Sequence, residues 1–197
     1  MTRIAPLRDF IVSMTRLAEQ HGENEARMLA QGRELVGGLV SRDDWLPDRF
    51  AQADPDRYQQ LLLYCDPLER FSVVSFVWGP GQRTPIHDHC TWGLIGMLRG
   101  AELCEEYARV GNGVPMKKSA EHVIEPGGVD AVSPTIGDIH VVSNRLKDKP
   151  SISIHVYGGN IGAIRRHTYV PDSGEVRDFI SGYSADVVPN LWDRSRE

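Results

Sequence analysis

His87, His89 and His140 are the residues whose type and spacing speak most directly of chemistry. In His87-Asp88-His89 two imidazoles stand two residues apart. On an extended segment side chains alternate faces, so both rings point the same way, side by side, as a metal site requires. The pair closes the run Gly81-Gln82-Arg83-Thr84-Pro85-Ile86. His140 lies in a second glycine- and proline-punctuated segment, Gly128 to Asn144. Together the two blocks offer three imidazoles and no obvious carboxylate ligand. Imidazole suits zinc, copper, iron and nickel, whereas hard ions want oxygen. Three neutral ligands leave a divalent ion its full formal charge, which favours an anionic ligand from outside. An isolated His-x-His is equally compatible with surface or core polar residues.

Two further groups carry functional side chains. In Ser151-Ile152-Ser153-Ile154-His155-Val156-Tyr157, strand alternation puts Ser153, His155 and Tyr157 on one face and the aliphatic residues on the other. Turned inward, that polar face needs hydrogen bonds among its own members; turned outward, it is a solvated face with a surface tyrosine. The residues alone leave both open. Arg165-Arg166 follows shortly after Tyr157. A planar guanidinium suits bidentate carboxylate recognition, and solvated surface charge is the alternative. His21 reads as a helix-end cation. His122 and His167 read as structural or surface residues. Trp78 and Trp92 read as barrel packing, with Trp92 close enough to the histidines in sequence to line a pocket.

The elements that must position these groups change character along the chain. Leu7 to Leu17 is apolar at helical intervals, with Gly22 as a stop, and a second helix spans about Asn24 to Leu39, burying Met28, Leu29, Leu35, Val36 and Leu39. Asp44 to Phe50 reads as a loop around Pro47. Asp54-Pro55 predicts a third helix over Asp56 to Leu63, with proline in its first turn. Tyr64 to Arg70 then joins helices to a β region. Phe71 to Trp78, Trp92 to Leu98, Glu102 to Val110, Ala120 to Ile124, His140 to Ser143 and Ser151 to Tyr157 read as strands, with weaker ones at His167 to Val170 and Arg177 to Ile180. Many short strands between Gly/Pro/Asn turns predict a sandwich or barrel.

The chain of 197 residues is long enough for one domain with a sizeable core. A net charge of −5 with both signs interspersed argues against a nucleic-acid partner. No apolar run approaches the roughly 20 residues of a membrane span. The opening Met1-Thr2-Arg3-Ile4-Ala5-Pro6 lacks the apolar core of a secretory signal. Cys65, Cys90 and Cys104 form no disulfide framework; Cys90 reads as a small buried side chain. A cytoplasmic protein with reduced thiols is expected.

Two ordered blocks carry a resemblance. Gly81, His87, His89 and Gly100 are similar to the first motif of the cupins, and Gly128, Pro134, Gly137, His140 and Asn144 to the second, with one extra residue between Pro134 and Gly137. The resemblance implies a mainly β fold: a jelly-roll-like cupin barrel with N-terminal helices packed outside. It also implies one domain over 1–197, with 1–64 mainly helical and 71–180 as barrel. The cupin glutamate ligand falls at Gly93, which has no side chain to offer. From about Tyr58 to Arg166 the chain most resembles the thiol dioxygenases of the cysteine dioxygenase family.

That resemblance implies iron(II) held by His87, His89 and His140. It implies a Ser153–His155–Tyr157 relay beside the iron. Gly93 also stands where animal members carry a crosslinking cysteine, so no thioether is expected. Gln60, in Tyr58-Gln59-Gln60, stands where animal members carry an arginine, and is similar to the bacterial branch that prefers 3-mercaptopropionate. Arg166 is then the candidate for the substrate carboxylate, assisted by Gln60. The implied activity adds both atoms of O2 to the sulfur of a small thiol carboxylate, most of all 3-mercaptopropionate, giving a sulfinate. The alternatives are cysteine as substrate, a non-catalytic cupin that binds a metal and a small anion, and a zinc- or manganese-dependent cupin isomerase.

Overall fold

The computed structural model describes residues 4–192. It opens with two helices, α1 (Ala5–His21) and α2 (Glu25–Val40). Asn24 caps α2 by accepting a hydrogen bond from the Arg27 N–H, a role suited to its short side chain. α2 continues past Gly37-Gly38 to Val40, because Val36, Leu39 and Val40 are all buried against the β region. Leu29 and Leu35, expected on the buried face, are only half-buried; Gly32 and Val40 take their place.

Strands follow as β1 (Gln59–Cys65), β2 (Ser72–Trp78), β3 (Ile86–His87), β4 (Gly93–Arg99), β5 (Glu102–Ala108), β6 (Lys117–Ile124), β7 (Val129–Val132), β8 (His140–Asn144), β9 (Ser151–Tyr157), β10 (Arg166–Tyr169) and β11 (Val176–Phe179). Among the described residues they form two antiparallel sheets, β1-β2-β9-β4-β7 and β11-β10-β3-β8-β5-β6. The architecture is mainly β, two antiparallel sheets in a jelly-roll-like barrel with helices outside, as the sequence leads one to expect.

One expected element is overturned. Residues 56–63 are not a helix. The Asp54 side chain accepts hydrogen bonds from the Asp56 and Arg57 N–H groups, closing a turn, and the chain then enters β1. There Gln59 to Cys65 pair with β2, and Leu61 and Leu63 are buried. Pairing with a neighbouring strand overrides the local helical cue. Tyr64 to Arg70 is accordingly no linker between helices and barrel. It carries the end of β1 and a tight turn to β2, fixed by the Asp66 carboxylate, which accepts from the Leu68 N–H and the Arg70 guanidinium. The helical part therefore ends before residue 59, and β3 and β7 add short strands that the sequence pattern did not reveal.

The helices cover the outer face of the first sheet. Leu61, Leu63, Val73, Val77, Leu94, Ile152, Ile154 and Val156 form one core cluster with Leu7, Phe10, Met14, Leu17, Met28 and Val36. Contact is close enough that a Cβ on Gly96 of β4 would lie 2.5 Å from Val36 Cγ1. Inside the barrel, smaller apolar clusters around Val74, Phe76 and Trp78, and around Ile95, Met97 and Cys104, leave room for polar groups.

Candidate metal centre and active site

Strand register brings the histidines together. β3 pairs with β8 so that His87 lies directly opposite His140. His89 follows just beyond β3, and the three ring centroids stand 4.8–4.9 Å apart. All three residues are buried. Each Nδ1 is engaged: His87 with the Pro85 carbonyl at 3.1 Å, His89 with Asp138 Oδ1 at 2.8 Å, and His140 with Cys104 Sγ at 3.4 Å. Such partners fix the ring orientation and leave Nε2 for a metal. Burial, and then the neighbouring His89, push the His87 imidazole down to about 3; burial holds His140 well below its usual value. Both rings are neutral, as ligands must be. His89 Nε2 is buried without a hydrogen-bond partner among the described residues. An orphaned nitrogen among converging neutral imidazoles fits a divalent transition-metal ion, and the three residues' ligand atoms lie within 4.8 Å of one another.

Two carboxylates hold this loop without facing the centre. Asp138 Oδ2 also accepts from the backbone N–H groups of His89 and Cys90. Asp88 accepts from the Tyr169 hydroxyl at 2.7 Å and from both the N–H and the Nδ1 of His167. Burial raises the Asp88 carboxyl, yet these bonds win and keep it below its usual range. His167 is thus structural, tying β10 to the ligand loop, and His122 is paired with Asp130 at 2.9 Å. Cys90 departs from expectation: it is exposed, because a left-handed φ of 55° turns it out of the barrel.

β9 is the central strand of its sheet, and every residue in it is buried, so the solvated reading of its polar face fails. Ser153 Oγ lies 2.8 Å from His155 Nε2, and His155 Nδ1 lies 2.7 Å from the Tyr157 hydroxyl. The Tyr157 ring stacks on His89 at 5.4 Å. Burial pushes the Tyr157 phenol upward, so its hydroxyl stays protonated. The register sets Tyr157 opposite Gly93, where a Cβ would lie 2.9 Å from the tyrosine ring. Gly93 therefore supplies no ligand and no thiol, and its lack of a side chain leaves the space that Tyr157 occupies.

These groups open on one cavity of about 500 Å³. Its walls include His87, His140, His155, Tyr157, Tyr58, Phe76, Trp78, Arg166 and Tyr183. Trp78, expected only to pack, lines it and points Nε1 at Ser153 Oγ (3.4 Å). Trp92 instead packs against the helices and does not reach it. Arg166 is buried, with its guanidinium 4.6 Å from the Phe179 ring centroid and Nη2 donating to Ser181 Oγ at 2.6 Å. Its Nε–H has no acceptor among the described residues. Arg165 points out to Asp178. Gln60 also lines the cavity, but its amide donates to Ser181 Oγ at 3.1 Å and to the Gly182 carbonyl at 3.0 Å. Ser181 Oγ thus accepts from both Gln60 and Arg166. Sequence reasoning missed the site roles of Asp138, at a position outside any strand between Gly137 and His140, of Cys104, inside β5, and of Ser181 and Tyr183, in the loop after β11.

Cysteine dioxygenase type 1 from Danio rerio is 27% identical over 119 residues, which are 58% of this chain. The chain spans 56% of that relative's length. Solved structures that align include a Klebsiella pneumoniae protein with a double-stranded β-helix domain (18% identical, 61% of this chain and 95% of that one, TM-score 0.46). Another is a cupin superfamily protein from Desulfitobacterium hafniense (12% identical, 60% and 94%, TM-score 0.45). The family described as cysteine dioxygenase type I matches residues 34–170, from within α2 to just past β10. A match over more than half of the chain, reaching all three histidines and the whole of β9, makes this protein a member of the cysteine dioxygenase type I family.

Proposed function

We propose that this protein is an iron(II)-dependent thiol dioxygenase acting on a small thiol carboxylate, with 3-mercaptopropionate as its main substrate. The observation that carries the reading is the content of the cavity wall. It joins two metal-ligand histidines, the Tyr157 end of the relay and two cations, Arg166 and Arg57, and among the described residues it contains no carboxylate. A substrate with one carboxylate and one thiol is matched at both ends. The ammonium group of cysteine would find no counter-charge there.

His87, His89 and His140 would hold the metal through Nε2, which their Nδ1 partners leave free. When bound, iron(II) supplies the Lewis acidity that ionises a coordinating thiol and the redox chemistry that activates O2. Arg166 orients the substrate: a carboxylate would give its Nε–H the acceptor it lacks. Gln60 acts on the same end through Ser181, which it holds against Arg166. Tyr157 keeps its proton and presents it to O2 or substrate, steadied by His155 and Ser153. Phe76, Trp78 and Tyr58 give the cavity an aromatic wall that excludes water. In the overall reaction RS⁻ and O2 combine to RSO2⁻, so both oxygen atoms end on sulfur and none is left over. Cysteine is the second reading, favoured by the name of the Danio rerio relative.

The test is oxygen consumption by purified, iron-loaded protein with each thiol in turn, coupled to mass analysis of the sulfinate. Turnover of 3-mercaptopropionate well above that of cysteine is expected. Preference for cysteine would reverse the substrate assignment. An iron-loaded protein that consumed no oxygen with any small thiol would remove the enzyme reading.

A further inference from the structure

Behind the relay, and outside the cavity wall, sits a carboxyl group that the reaction above does not use. Glu102 opens β5, directly after the Gly100 turn, and its side chain is completely buried. Oε1 accepts a hydrogen bond from Ser151 Oγ at 3.3 Å, while Oε2 has no partner among the described residues. Its cross-strand partners are Ile124 of β6 and Asn144 of β8, neither of them charged. The side chains that act on it are the hydroxyls of Ser153 and Ser151 on β9. The titratable groups coupled to it are Cys104 and Tyr157, and burial keeps both protonated. A carboxyl enclosed in this way, with no cation beside it among the described residues, is a neutral acid and therefore carries a donor proton.

That donor decides a direction. Ser153 Oγ has one proton to give and two lone pairs to fill, and Trp78 Nε1–H takes one lone pair. If Glu102 donates into the second, the Ser153 proton goes to His155 Nε2. The imidazole proton then sits on Nδ1 and goes to the Tyr157 oxygen, leaving the Tyr157 proton free to point into the cavity. If Glu102 is ionised, every bond reverses: Ser153 donates to Glu102, His155 Nε2–H donates to Ser153, and Tyr157 donates to His155. The cavity then meets only a tyrosine lone pair. Both chains of bonds use the same Ser153–His155 and His155–Tyr157 contacts, so Glu102 selects between them.

We infer that Glu102 is the positioning residue at the inner end of the relay, and that its neutral acid form holds His155 in the Nδ1–H tautomer that frees the Tyr157 proton for substrate or O2. The functional half of this inference rests on the dioxygenase reading; the tautomer half does not. Burial pushes the Glu102 carboxyl up to about 8. The favoured direction therefore holds at neutral pH and below, and reverses as the acid ionises above it.

Two readouts test the inference on the full-length chain. The first is ¹⁵N chemical shifts of histidine-labelled protein carrying diamagnetic zinc in place of iron, with His155 assigned by its loss in His155→Gln. The Nδ1–H tautomer is expected at pH 6.5 in the wild type. It should persist above pH 9 in Glu102→Gln, which keeps a donor, while the wild type shifts to Nε2–H. The second readout is oxygen uptake by the iron-loaded enzyme. Glu102→Leu should lower kcat about tenfold, the value of one lost directing hydrogen bond, with iron content and KM unchanged. Glu102→Gln should recover most of that loss and extend activity to higher pH. In a double-mutant cycle, Glu102→Leu should cost little more once Tyr157→Phe is present. An Nε2–H tautomer at pH 6.5, or full additivity of the two substitutions, would overturn the inference. If the tautomer behaves as stated while no thiol consumes oxygen, the dioxygenase reading fails and the assignment of Glu102 stands.

Discussion

The two faces of β9 are buried equally and built oppositely. Ile152, Ile154 and Val156 pack outward against the helices, in the largest apolar cluster of the protein. Ser153, His155 and Tyr157 point inward and bond to one another. The outward face removes apolar area from water and is replaceable by apolar side chains of similar volume. On the inward face, each polar atom is tolerable only because the next one satisfies it, so a single truncation leaves a buried group unpaired. One strand thus separates stability from chemistry by side-chain parity alone.

The comparison can be broken at several points. The largest effect belongs to the metal. His140→Ala should lose iron, measured by metal analysis, and with it all detectable oxygen uptake. Next is the inward face. Tyr157→Phe should keep iron and stay folded, at a cost of about 1–3 kcal/mol for the unpaired His155 Nδ1, but lower kcat by about 100-fold, in the range of a lost proton donor. If its rate were unchanged, the division between the faces would fail. The outward face should show the reverse. Ile154→Ala should cost about 2–5 kcal/mol in chemical unfolding, with kcat/KM unchanged at a temperature where the variant is folded. Ser181→Ala is a finer probe of the carboxylate end. Loss of the acceptor shared by Arg166 and Gln60 should raise KM for 3-mercaptopropionate severalfold and leave an uncharged thiol such as 2-mercaptoethanol unaffected.

The smallest effect is a pH slope. Glu102 is raised in the folded protein from an ordinary 4.5 to about 8. Between those values the folded state holds a proton that the unfolded state has released. The stabilising contribution is therefore complete below pH 4.5 and lost as pH rises through 8. Melting temperature should fall more steeply across this window in the wild type than in Glu102→Gln, and parallel curves would contradict the buried acid.

Much of this was legible in the residues themselves. His-x-His and the alternation of residues 151–157 each encode a geometry that the backbone enforces locally, so the paired imidazoles and the shared face of Ser153, His155 and Tyr157 could be read before any fold was known, whereas a relay along that face was implied only by the family resemblance. Residues 56–63 were misread because their strand state is imposed by β2, a neighbour that composition does not reveal. Asp138 and Ser181 were invisible for a related reason: each acts across the fold, on His89 and on Arg166 respectively, and neither stands in a periodic pattern. Glu102 looked like any glutamate at the start of a strand. Only its enclosure between β5 and β9 gives it a role. Gly93 was read as an absence, and the structure adds a positive reason for it: Tyr157 fills the space that a Cβ would need.

The most direct test of the account is oxygen uptake with sulfinate detection, comparing 3-mercaptopropionate and cysteine in the wild type and in Arg166→Met. The account predicts stoichiometric formation of the 3-mercaptopropionate sulfinate, weak turnover of cysteine, and a large rise in KM with unchanged iron content when Arg166 is replaced. An iron-replete wild type that forms no sulfinate from either thiol would contradict it.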